Sequence, residues 1–430
     1  MMKAKVITLG CKVNQYESEA MLSSLLQHGF AAAEDKETAD VVILNSCTVT
    51  AESDRKVRQI FRRAKKDNPD AVMVLTGCMA QAFPEDARRL EEADIILGTS
   101  NRKRLVPDLL AFLSARQRII DIAPHTNDEK FEDLNVENFT GRTRAFVKIE
   151  DGCNRFCSYC IIPYARGRVR SKPLEDLKAE LAGLGANGYK EVVLTGINLS
   201  AYGQEFGLHL CDAIEAACAT PGIERVRLGS LEPEQLSEDV IRRMAKQKKL
   251  CPQFHLSLQS GCDATLKRMN RHYTADEYRT IVRNLRAAFE NAAITTDIMV
   301  GFAGETDEEF AESLAFAEEI AFAKVHVFAY SRRPGTRAYG MGDQLTNAVK
   351  EARSHEMIRV TTATQQAFFK AQIGRTEEVL FEREIQKGVW EGYSMNYTPV
   401  AVASGTSLAG EIRSVRIESC TDTHCMGAVL

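Results

Sequence analysis

Nothing in these 430 residues is apolar over a length that could cross a membrane or serve as a secretory core. The first apolar run, Val6-Ile7-Thr8-Leu9, has the size and composition of a strand. A membrane protein is therefore excluded as an expectation, and a cytoplasmic one is expected. A dominant charge is missing too: 55 Lys and Arg stand against 59 Asp and Glu, a net charge of −4. No overall field draws in nucleic acid, so any RNA contact has to come from local basic faces. What is present is a globular composition, 44% hydrophobic and 27% charged, on a chain long enough for two or three domains. Cysteine is plentiful, with 12 residues. In a reducing compartment such thiols serve metals or catalysis rather than disulfides.

Three of them fall in Cys153-Asn154-Arg155-Phe156-Cys157-Ser158-Tyr159-Cys160, and no fourth Cys or His lies nearby. A structural zinc site needs four protein ligands, so a zinc loop here would have to borrow a distant one. Thiolates equally suit an iron–sulfur cubane, in which three protein ligands leave one iron open. Phe146-Val147-Lys148-Ile149 reads as the strand that delivers this loop.

Upstream, Val6 to Cys11, Val42 to Cys47 and Met73 to Cys78 share one grammar: a β-prone run, a small residue, then Cys. The cysteines are 36 and 31 residues apart, about one βα unit each. Helical patterns at 15–28 and 53–67 separate them. The expectation is an open parallel α/β sheet over residues 1–122, with Cys11, Cys47 and Cys78 converging on its carboxyl edge. Along 54–66, Val57, Ile60, Phe61 and Ala64 recur at helical spacing, which turns Arg55, Arg58, Arg62 and Lys66 outward. Such a row is either a phosphate-tracking surface or a solvated face.

Residues 123–144 are polar and aperiodic and read as a linker. From 145 to 372 strand and helix alternate. The strands are expected at 145–149, 191–196, 224–229, 253–258, 294–301 and 323–329, a partial (β/α)6 barrel. The thiol loop then lies on the carboxyl-end face. Thr195 and Gly196 end the second strand and Gly301 the fifth, where close backbone approach to a cofactor is possible. Arg166, Arg168, Arg170 and Lys172 form a basic run that either meets substrate phosphates or is solvated. A last helix, about 347–373, is expected to brace the barrel without a strand partner. Residues 373–430 are β-rich and suit a small five-stranded barrel of the oligonucleotide-binding kind. There Trp390, Tyr393 and Tyr397 either stack on bases or pack a core. Five Lys and Arg against eight Asp and Glu in this span argue against a strong phosphate grip.

The Cys153–Cys160 spacing is that of radical S-adenosylmethionine (SAM) enzymes. Taken with Thr8 to Ser18, Asn45 to Thr50, Thr76-Gly77-Cys78, Cys153 to Ser171 and Gly301 to Thr306, the whole chain resembles the radical-SAM methylthiotransferases. Ala303 stands where relatives usually carry Pro, and Ser46 where many carry Thr; neither is a proposed ligand. The resemblance implies two 4Fe-4S clusters, one on Cys153, Cys157 and Cys160 and an auxiliary one on Cys11, Cys47 and Cys78. It also implies Tyr159 beside the SAM adenine, an RNA-binding TRAM barrel at the C-terminus, and a flavodoxin- or ferredoxin-like electron donor. Cys11-Lys12-Val13-Asn14-Gln15-Tyr16 resembles the branch that acts on N6-threonylcarbamoyladenosine in tRNA. Relatives acting on isopentenyladenosine tend to show Gln-Met after this Cys, and those acting on a ribosomal-protein aspartate Pro-Lys. An RNA-binding zinc–thiolate protein is the alternative outside enzymes.

Overall fold

The computed structural model describes residues 1–34, 37–134, 136, 139 and 143–430. Part of the expected linker, including Gly141, lies outside the described residues.

Six parallel strands build the N-terminal sheet, where the sequence reading expects three. Their spatial order is Ala31–Ala32, Lys3–Thr8, Val41–Ser46, Val72–Gly77, Ile95–Leu97 and Ile119–Asp121. Val41–Ser46 and Val72–Gly77 are buried at every residue, as a parallel strand covered on both faces must be. On one face Val57, Phe61 and Ala64 of helix Ala51–Asp67 pack against Val42, Leu44, Met73 and Leu75. On the other, Met21 and Leu25 of helix Lys12–Gln27 meet Val41, Ile43 and Val74. Alternate residues of one strand thus serve opposite cores.

The central domain is the expected six-unit half-closed barrel. Its parallel strands run Arg144–Lys148, Glu191–Thr195, Arg225–Leu228 with Ser230–Leu231, Gln253–Leu256, Ala293–Val300 and Lys324–Ala329. The third strand is broken at Gly229. Its first half pairs with Glu191–Thr195 and its second with Gln253–Leu256, so the sheet turns a corner there. Helix Asn347–Lys370 does have a strand partner, contrary to expectation, since it packs along Lys324–Ala329. It is tied to the strand ends by Lys350 Nζ to Tyr330 O (3.0 Å) and Arg353 to Glu305 (2.6 Å).

The last domain is a closed five-stranded barrel, Thr376–Gln386, Val389–Ser394, Pro399–Ala403, Cys425–Val429 and Ile412–Cys420. It docks on the amino ends of the central strands. Arg225 donates to the carbonyls of Tyr393 and Glu378, and Arg227 to that of Met395. No helix among the described residues is long and apolar enough to span a membrane.

Candidate active site

The three N-terminal cysteines sit on one edge because their strands are neighbours in register, Thr8 beside Asn45 and Ser46 beside Gly77. Cys11 caps the amino end of helix Lys12–Gln27, Cys47 leaves its strand directly, and Cys78 opens the short helix Cys78–Ala82. Gly77, at φ +96°, is required here: a Cβ would stand 2.5 Å from the Ser46 backbone. The trio runs from exposed Cys11 through half-buried Cys47 to buried Cys78. Burial raises the Cys47 thiol and pushes Cys78 up to about 12. Asn14 pins the edge, its amide donating to the carbonyls of Leu9 (2.9 Å) and Ser46 (3.0 Å).

The second trio is shaped by Gly152, at φ +86°, where a Cβ would collide with the Arg168 carbonyl at 1.9 Å. That approach folds the loop back so that Cys153 N bonds Gly167 O (3.0 Å). Burial raises Cys153 and pushes Cys160 up to about 12. Arg271 points its guanidinium at the Cys157 sulfur (3.3 Å) and is held there by Glu232. Tyr159 lies edge-on to Phe302 with centroids 6.3 Å apart, forming the apolar side of the loop. No three His, Cys, Asp or Glu among the described residues close tightly enough for a single metal ion. Each trio comes from one strand edge or one loop, and its thiols are soft donors whose protons a metal would displace.

Between the trios lies a buried ionic network, and here the reading of the basic run is corrected. Arg166 is fully buried: it pairs with Glu17 (2.5 Å) and Asp151 (3.3 Å), donates to Asn14 Oδ1 (2.6 Å), and sets Nε 3.3 Å from Cys78 Sγ. Arg170 is buried against Asp151 (3.4 Å), and Lys172 against Glu180. These three neither meet phosphates nor are solvated, because Asp151 and Glu180 from nearby elements and Glu17 from the first helix enclose and neutralise them. Only Arg168 of the run is exposed, over the Phe156 ring at 5.0 Å. Lys148 adds pairs to Glu17 (2.8 Å) and Asp151 (2.6 Å), and Arg102 one to Glu17 (3.0 Å). These cations hold Glu17 and Asp151 below the usual carboxylate range despite burial.

A cavity of about 840 Å³ opens beside Cys11 and runs through the barrel to the C-terminal domain. Thr195 and Gly196 line it, and so does Lys12. Burial, with Arg227 and Arg144 nearby, brings the Lys12 ammonium down to about 8. Gly301 does not line this cavity; it packs on Lys350, and its N–H bonds Glu305 (2.9 Å). Tyr393 and Tyr397 form the far wall, stacked on each other at 4.6 Å under Arg144 and Arg227. They face the barrel, not an outer RNA surface. Trp390 packs on the small barrel's core. The Arg55, Arg58, Arg62 and Lys66 face of its helix is turned outward, with Arg58 half-buried. Arg55 is paired with Glu52, and Arg62 with Glu92. The same helix starts beside the last barrel strand, where Asp54 pairs with Arg333 (2.7 Å).

The comparisons agree with this architecture. Residues 3–98 match uncharacterized protein family UPF0004, and residues 147–317 match the radical SAM superfamily. The threonylcarbamoyladenosine tRNA methylthiotransferase MtaB of Bacillus subtilis is 36% identical over 95% of this chain and 92% of its own length. That of Thermotoga maritima is 37% identical over 98% and 96%. The chain belongs to the radical-SAM tRNA methylthiotransferases. Its family uses SAM and a 4Fe-4S cluster. A tRNA-2-methylthio-N(6)-dimethylallyladenosine synthase of Pelotomaculum thermopropionicum is also 35% identical over 99% and 97%. Among solved structures, the radical SAM methyltransferase TsrM of Kitasatospora setae superposes with a TM-score of 0.59 at 15% identity, covering 78% of this chain and 74% of TsrM, which speaks for the fold.

Several groups suited to a SAM site escaped sequence reasoning. Glu150, Asn198 and Gln259 each hold a buried side-chain oxygen without a hydrogen-bond partner at the carboxyl ends of barrel strands. Buried polar atoms are seldom left so, and a polar cofactor lying across the strand ends would satisfy them. Glu150 also explains Gly196: a Cβ there would stand 2.6 Å from the Glu150 carboxylate. The only sequence signal for Glu150 is an acidic residue closing an apolar strand, which is common in loops.

Proposed function

We propose that this protein transfers a methylthio group to the C2 carbon of N6-threonylcarbamoyladenosine at position 37 of tRNA. In this reading Cys153, Cys157 and Cys160 hold the 4Fe-4S cluster that binds SAM, and Cys11, Cys47 and Cys78 hold an auxiliary 4Fe-4S cluster. These groups supply the one-electron and sulfur chemistry that no side chain can, since an aromatic C–H bond does not yield to a neutral-pH base. The chain's own part is to bring Cys11 to the cavity and to tie the two cysteine-bearing regions together through Arg166, Asp151 and Glu17. Glu150, Asn198 and Gln259 orient SAM, with Thr195 and Gly196 as the floor and Tyr159 beside its adenine; Gly301 supports the same rim. Arg55, Arg58, Arg62 and Lys66 track the tRNA backbone from a helix rooted at the site. A flavodoxin- or ferredoxin-like protein supplies electrons, and the setting is cytoplasmic.

The observation that carries the reading is the Arg166 guanidinium, which sets Nε 3.3 Å from Cys78 Sγ and pairs at 3.3 Å with Asp151, two residues before Cys153. Full-length similarity to relatives named for threonylcarbamoyladenosine supports the substrate. The dimethylallyladenosine relatives make the isopentenylated base the second reading. Reconstituted protein, SAM, sulfide and reductant are incubated with tRNAs bearing each base, and digested nucleosides are weighed by mass spectrometry. A methylthio gain on the threonylcarbamoylated base is expected. Gain only on the isopentenylated base would replace the reading, and zinc without acid-labile sulfide in anaerobic protein would remove it.

A further inference from the structure

The cavity beside Cys11 holds more positive charge than its own carboxylates neutralise. Lys12 lines it from the first turn of its helix, half-buried. The groups acting on it are Arg227, Arg144, Glu191 and the neighbouring Cys11. Glu191 is already engaged by Arg227 (2.8 Å) and lies 3.8 Å from Arg144. Across the cavity stand Lys324, His255 and His326 with one carboxylate, Asp297, 3.4 Å from His255. Glu191 is thus committed to Arg227, Asp297 lies against His255, and Lys12 lines the cavity with no ion pair within 4 Å among the described residues.

Lys12 directly follows Cys11, so its side chain starts where the sulfur-bearing edge ends. The C2 carbon and the N6 substituent of an adenine flank N1 on one edge of the base. A base that turns C2 to Cys11 therefore sends its N6 substituent along the same wall, into this cavity. The threonylcarbamoyl group ends in a carboxylate, whereas a dimethylallyl group ends in apolar carbon.

We propose that Lys12 is the residue that recognises the substrate's N6 carboxylate, forming an ion pair with it inside the cavity. The assignment rests on the substrate reading given above. It selects in both directions: the acidic substituent gains a charge-assisted bond, and an apolar one leaves a half-buried cation without a partner. SAM also carries a carboxylate, and the test has to separate the two sources.

Holoenzyme binding is measured by fluorescence anisotropy with two anticodon stem-loop RNAs, one carrying threonylcarbamoyladenosine and one carrying its neutral carboxamide. SAM affinity is measured by equilibrium dialysis. Wild-type protein is expected to bind the carboxylate RNA about ten- to a hundredfold more tightly than the carboxamide. Lys12→Gln should bind both alike with unchanged SAM affinity, and Lys12→Arg should recover part of the preference. Equal binding of the two RNAs by wild-type protein overturns the assignment without any variant. So does a Lys12→Gln protein that keeps the preference, or one that loses SAM affinity instead. A wild-type enzyme that leaves the threonylcarbamoylated RNA unmodified overturns the substrate reading itself. One that modifies it while ignoring the carboxamide change overturns the role of Lys12 alone.

Discussion

Glu17→Gln removes the charge on which the two large domains are joined. Glu17 stands on the first helix, its side chain fully buried, and faces Arg102 (3.0 Å), Lys148 (2.8 Å) and Arg166 (2.5 Å). Two of these cations belong to the central domain. With Gln in its place, Asp151 is the one remaining carboxylate between Lys148 and Arg166, and buried positive charge is left uncompensated. Breaking a buried pair in this way costs about 3–5 kcal/mol. Taking the lower end, because Gln still accepts hydrogen bonds, the expected fall in Tm is about 6–12 °C. The measurement is differential scanning calorimetry of the apo and cluster-loaded chain near pH 7. The sign of the pH dependence follows from the direction of the shift. Glu17 is held well below its ordinary value, so its stabilisation is present above about pH 4.3 and fades as pH falls toward its folded value. The gap between wild type and variant should therefore close in acid. Glu52→Gln, which removes an exposed partner of Arg55, should change nothing measurable. A Glu17→Gln protein that melts with the wild type, or whose deficit is the same in strong acid, would refute the argument.

Three further outcomes are expected. Cys78→Ala should lower iron and acid-labile sulfide by about half while SAM cleavage persists and methylthiolation stops, since soft thiolates hold one cluster per trio; full iron content in the variant would remove the auxiliary cluster. Gly77→Ala forces a Cβ to within 2.5 Å of the Ser46 backbone at φ +96°, and should lower stability by about 1–3 kcal/mol in thermal melts. Arg58→Gln with Lys66→Gln should weaken tRNA binding similarly across sequences and reduce the salt slope by about one for each lost phosphate contact; an unchanged slope would leave that helix face merely solvated.

The strands were legible because the chain repeats its punctuation. Val41–Ser46 and Val72–Gly77 are continuous apolar runs ended by a small residue and Cys, so both the parallel sheet and the shared edge of the cysteines follow from periodicity. The three extra strands were not legible: Ala31–Ala32, Ile95–Leu97 and Ile119–Asp121 are two or three residues long and carry no period. The break at Gly229 is also invisible in sequence. Residues 224–229 read as a strand that ends at Ser230, and only the corner of the sheet decides that Ser230–Leu231 carry it on against a different neighbour.

The site itself divides along the same line. Metal-binding cysteines announce themselves through spacing, because one loop or one sheet edge must supply several ligands. Ionic partners do not, because pairing is settled by tertiary distance: Glu17 and Arg166 are separated by 149 residues and meet at 2.5 Å. A basic run next to a cofactor loop therefore reads in sequence as a phosphate grip or a solvated face, while the fold spends three of its four cations on buried carboxylates. Sequence left Tyr393 and Tyr397 between base stacking and core packing for the same reason; in the fold Arg225 and Arg227 donate to carbonyls of their turn and the rings line the cavity. Lys12 is the converse case. Its neighbours in sequence say nothing of a cavity, yet the carboxylate that would ordinarily neutralise it is committed to Arg227. The cation left over in a folded interior, rather than the cation most prominent in the sequence, is the one free to meet a substrate.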